Sequence, residues 1–140
     1  MRIIILLIVL TLSACDLISS SSNITGSWKS EVDNGTMIFH QNGTFELLDK
    51  DGVSLFDIKS GVKATWETIT EVTPNQLYVK IETKDGFEKI PLGIYKISKS
   101  KLIIREPKTF YNTIGGISLG VSRYEMAKDF SGVLSVYTRI

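Results

Sequence analysis

One thiol and one imidazole set the limits of the chemistry this chain can do. Cys15 is the only cysteine and His40 the only histidine in 140 residues. A zinc site needs about four nitrogen or sulfur ligands, so this pair supplies too few. Serines are frequent, yet a nucleophilic triad needs a histidine held beside the hydroxyl. His40 follows Phe39 in an alternating stretch, which places it on a solvent-facing strand position. Asp33, Asp49, Asp51, Asp57 and Asp85 stand near turns, where aspartate bonds its own backbone. Their spacing is not that of a calcium loop. Glu46 and Glu67 could lie near each other on strands, but two solvated carboxylates explain them more simply than a glycosidase pair. No catalytic residue, metal ligand or cofactor site is assigned, and the expectation is a protein that is not an enzyme.

Cys15 has a different context. Met1-Arg2 is followed by the apolar run Ile3–Leu10, then by Thr11-Leu12-Ser13-Ala14 and Cys15. A charged start, a short apolar stretch and small residues are the plan of a secretory signal. The run is too short for the roughly 20 apolar residues of a spanning helix. Leu12-Ser13-Ala14-Cys15 resembles the lipobox of bacterial lipoprotein signal peptides. The resemblance implies cleavage before Cys15, acylation of that cysteine with chains such as palmitate, and a membrane anchor in the bacterial cell envelope. Several acyl chains would make that anchor stable. Residues 1–14 are then the signal peptide, 15–23 a lipidated tether and 24–140 the folded domain. Asp16 resembles an inner-membrane retention signal but serves equally as a tether residue, so inner and outer membrane both stay open.

Loss of Arg2 with the signal leaves 15 basic against 15 acidic residues. The charges are scattered singly, so no basic stripe exists to hold nucleic acid. With one cysteine no intrachain disulfide can form, and the domain must rest on its core.

The body shows no helical period. It reads as short alternating segments rich in β-branched and aromatic residues, separated by Asn-Gly and Asp-Gly turns. Candidate strands begin at Gly26-Ser-Trp28 and end at Val133–Arg139. Pro91 and Gly93 interrupt one of them, which predicts a bulge or an edge. Ser122-Arg-Tyr-Glu125 has the spacing of a helix capping box, so one short helix is expected near 122–130, with a strand through Gly120–Met126 as the alternative. Thr113–Gly120 reads as a loop or a twisted hairpin. About 8–10 strands joined by tight turns favour a single antiparallel up-and-down β-barrel over a sandwich.

Ile24-Thr-Gly26-Ser-Trp28 resembles the Gly-x-Trp opening of lipocalins and the wider calycin group, and Tyr137-Thr-Arg139 resembles their last strand. The resemblance implies a lipocalin-like barrel closed at one end by Arg139 stacked over Trp28. Leu134, Val136 and Ile140 form the more apolar face of the last strand, an arrangement that would turn Arg139 outward.

Two functions from different classes follow. In the first, the barrel holds a small apolar or amphipathic ligand, such as a lipid fragment, in a cavity lined by Phe39, Phe45, Trp66 and Val79. In the second, the barrel is solid and binds an envelope protein partner as an inhibitor, immunity or assembly factor. The long Pro107–Gly120 segment would then supply Tyr111, Ile114 and Ile117 as anchors.

Overall fold

The computed structural model describes residues 23–56 and 61–140. The cleavage region and Cys15 therefore lie outside the described residues. Within them the chain is all β, with ten strands.

The first three strands form a meander: β1 (Gly26–Ser30), β2 (Thr36–Phe39) and β3 (Phe45–Leu48). The β2–β3 turn runs through Asn42-Gly43, with Gly43 at a positive φ of 87°. A second meander follows: β4 (Lys63–Ile69), β5 (Gln76–Thr83), β6 (Gly86–Ser98) and β7 (Lys101–Arg105). The chain then leaves the sheet as a separate pair, β8 (Lys108–Ile114) and β9 (Ile117–Glu125), and returns as β10 (Ser135–Arg139).

The main sheet has the order β3-β2-β1-β10-β7-β6-β5-β4, antiparallel at every junction. Its two edges meet through an isolated bridge, Thr44 with Thr65, and a bond from the Trp66 amide to the Gly43 carbonyl at 2.9 Å. The result is an eight-stranded up-and-down barrel closed along one thin seam, consistent with the lipocalin-like barrel expected from the sequence.

Alternation decides what fills it. Trp28, Met37, Phe39, Phe45, Leu77, Val79, Tyr95, Leu102 and Ile104 are buried in one core cluster. Each comes from an inward position of its strand; Ile94, next to Tyr95 on β6, is also fully buried but lies outside this cluster. Among the described residues no buried side-chain nitrogen or oxygen lacks a partner. Burying an unpaired polar group would cost about 1–3 kcal/mol.

One expectation needs correction. No helix forms near 122–130. Residues up to Glu125 belong to β9, and the segment after it is irregular. The Ser122 hydroxyl does not cap a helix; it donates to the Phe110 carbonyl at 3.1 Å across the β8–β9 pair. The β-branched and aromatic residues on both strands favour pairing over a two-turn helix. Of the two readings of Thr113–Gly120, loop or twisted hairpin, the structure has the hairpin. Gly115 and Gly116, at φ 58° and 80°, make a tight turn between β8 and β9.

Candidate functional site

The last residues of the chain meet the first residues described. Trp28 on β1 lies opposite Arg139 on β10. The guanidinium carbon of Arg139 sits 4.2 Å from the centre of the Trp28 ring. Its nitrogens donate to the carbonyls of Thr25 and Asn23, each at 2.9 Å. The Trp28 Nε1–H donates to the Ile24 carbonyl at 2.7 Å inside the core. A Cβ on Gly26 would stand 2.8 Å from the Arg139 guanidinium, so glycine leaves the room that the stack requires. This end of the barrel is shut by structure, not arranged as a site.

The four residues expected to line a cavity are brought together, but around one another. The rings of Phe39 and Phe45 are 5.1 Å apart, and Trp66 meets Phe39 edge-on at 5.8 Å. Val79 lies opposite Trp66 in the β4–β5 ladder. Phe39, Phe45 and Val79 are buried, and the half-buried Trp66 donates from Nε1 to the His40 carbonyl at 3.0 Å. Phe39, Trp66 and Val79 pack into the core, and Phe45 also borders a cleft of about 260 Å³ with Phe56, Val62 and Ala64. His40 is held by the Glu46 carboxylate at 2.5 Å, and Glu67 pairs with Lys89, so the two glutamates face different partners.

The opposite end of the barrel is more open. Two clefts, about 180 and 440 Å³, meet at Tyr137. The smaller is lined by Met37, Leu92 and Ile104 below and by Thr109 and Tyr124 from the base of β8–β9. Burial pushes the Tyr137 phenol above its ordinary value, and the Glu106 and Asp33 carboxylates push the same way. Tyr137 was read from the sequence only as part of the terminal strand pattern. Its place at the mouth depends on β10 inserting between β1 and β7, a long-range pairing that no local pattern announces.

From that same end rises the β8–β9 hairpin. β7 starts at Lys101 beside Thr138, near the Trp28 end, and delivers the chain to the far end at Arg105. From Thr109 to Ser122 the hairpin carries no charged residue. Ile114, Ile117, Leu119 and Tyr111 are 71%, 68%, 60% and 57% exposed. Lone exposed apolar residues are ordinary, but this many on one uncharged arm are not. Tyr111 faces Val121 and Ile114 faces Ile117 across the pair; three residues apart on the regular strand β8, the two pairs stand on opposite faces of the hairpin.

The hairpin also holds one motif that sequence reasoning passed over. Gly116-Ile-Ser118-Leu-Gly120 has the Gly-x-Ser-x-Gly spacing of a nucleophile elbow. That motif works only on a sharp strand-to-helix turn with a histidine in reach. Here Ser118 lies within β9, paired with Thr113, while His40 follows β2 at the Trp28 end of the barrel. The spacing has no catalytic geometry behind it.

No family model matches this chain, and neither curated proteins nor solved structures yield a match.

Proposed function

We propose that this chain is a lipid-anchored lipoprotein of the bacterial cell envelope whose solid barrel presents the β8–β9 hairpin to a protein partner. The exposed, charge-free hairpin is the observation that carries this reading. Interface centres are depleted in charge and enriched in aromatic side chains, which fits exposed Tyr111 opposite Val121 on one face and Ile114 opposite Ile117 on the other. The resemblance of Leu12–Cys15 to a lipobox supports the anchor. A tether ending at Asn23 would attach at the Trp28 end, leaving the hairpin at the end remote from the membrane. The partner would act as the target of an inhibitor, immunity or assembly factor.

The test is crosslinking in the native host followed by capture. Wild-type protein should yield a crosslinked partner, and Ile114→Ser with Ile117→Ser should abolish it while leaving folding intact. Capture of the same partner by the double variant would remove the hairpin from the function. A parallel measurement addresses the anchor: radioactive palmitate should label the wild type and not Cys15→Ala.

A second reading, binding of a small apolar ligand, is favoured by the clefts around Tyr137 and by a cleft of about 260 Å³ lined by Phe45, Phe56, Val62 and Ala64. Native mass spectrometry of the purified protein would show such a ligand as an added mass.

A further inference from the structure

The β8–β9 pair is a two-stranded sheet with no third strand beside it among the described residues. A hairpin of this kind is marginally stable alone in water and gains order when a further strand adds to it. About half the N–H and C=O groups of each of its strands point away from the other strand and have no ladder partner.

The two outer edges are not equivalent. Along the pair, Phe110 faces Arg123 while Tyr111 faces Val121, and Asn112 faces Gly120 while Thr113 faces Ser118. Ser122 and Leu119 are therefore extra residues on β9. Each bulge kinks β9 and breaks the regular spacing of its outer groups, a device that guards an edge against pairing. β8 has no inserted residue from Lys108 to Ile114. It also has no proline, and no charge between Thr109 and Ile114.

We infer that the regular outer edge of β8 binds its partner by strand addition, taking an extended, uncharged segment of another protein as the third strand of the hairpin. This rests on the protein-partner reading above and specifies its mode. The occupant follows from the groups that need partners. Edge amides and carbonyls can exchange water for a ladder of hydrogen bonds only with a peptide backbone, which lipid chains cannot supply. The uncharged span from Thr109 to Ser122 offers no counter-charge to an acidic or basic residue in the added strand. A segment of alternating aliphatic and hydroxyl residues satisfies both conditions.

The experiment is hydrogen exchange read by mass spectrometry on the full-length protein, in native envelope vesicles and after purification in detergent. Strand addition should slow exchange in the Lys108–Ile114 segment at least about tenfold in vesicles, leaving Ile117–Glu125 unchanged. Equal rates in both preparations, or protection confined to β9, overturn the inference. A crosslink that joins only two copies of this chain also overturns it, because the occupant is then a second copy. Capture of a partner without protection of β8 leaves the protein-binding reading standing and removes strand addition. Protection of β8 with no captured protein removes both.

Discussion

Arg139 does two jobs with one planar group. Its face covers the Trp28 indole and its edge donates to the carbonyls of Asn23 and Thr25. Both arrangements depend on a flat, forked cation, which an ammonium cannot reproduce. Arg139→Ala should lower unfolding free energy by about 1–3 kcal/mol, from the lost stacking and the charged hydrogen bonds. Arg139→Lys should recover less than half of that loss in urea titrations of the purified protein. Full recovery by lysine would show that charge alone matters here. A second residue-scale prediction concerns Tyr137, whose phenol is raised mainly by burial. The native state then holds the proton more tightly than the unfolded chain does. Its contribution to stability is complete below the ordinary tyrosine value and is lost as pH rises through the folded one. Denaturation series taken upward from pH 9 should show a steeper alkaline loss in wild type than in Tyr137→Phe. Identical slopes would place the titration elsewhere.

At the scale of elements, β6 shows how two residues that interrupt a strand pattern can be read and what they do. Pro91 and Gly93 mark a bulge or an edge in the sequence, and the structure has both. The β5–β6 register shifts between Leu77 and Tyr78, which face Gly93 and Pro91, leaving Leu92 as the extra residue. Pro91 falls beyond the last β6–β7 pair, Ile94 with Arg105, where a missing N–H costs nothing on that side. Gly93 is tied to its place by space: a Cβ there would lie 2.2 Å from the Arg105 carbonyl oxygen, with φ at 138°. Gly93→Ala should destabilise by about 3 kcal/mol or more, through backbone strain and displacement of β7. A thermal midpoint unchanged from wild type would refute this. The helix expected near 122–130 shows the opposite lesson. Ser122 and Glu125 carry a real capping-box spacing, yet Val121 and Tyr124 pair with Tyr111 and Thr109, and tertiary pairing overrides a local signal. Alternation and Asn-Gly turns are local, so the meanders were legible. The departure of β8–β9 from the barrel was not, because nothing within its own residues says that β10 will take the place beside β7.

For the whole molecule, the decisive question is whether the barrel is a container or a solid. The sequence showed which aromatic residues face inward, because alternation along strands reports direction. It could not show how far opposite walls approach, since that depends on barrel closure through contacts such as Thr44 with Thr65. Phe87 illustrates the gap: although a large aromatic, it is exposed on β6 with Lys80 above its ring. Phe39 offers the sharpest measurement. It is fully buried, touches the Phe45 and Trp66 rings, and lies opposite both Gly26 and Phe45 in its ladders. Removing a side chain from a packed interior costs its transfer energy plus the void left behind, about 3–5 kcal/mol for Phe→Ala. Against a total stability of about 5–15 kcal/mol, that loss is a large share. Phe39→Ala should therefore shift the urea midpoint strongly toward low denaturant, and addition of a small aromatic such as benzene should restore part of it by filling the void. A residue lining an open ligand cavity would behave differently. Its truncation would enlarge a space that already exists, costing about 1 kcal/mol or less, and benzene would stabilise wild type as well as variant. The second outcome would return the protein to the class of ligand carriers and take the solid-barrel reading with it.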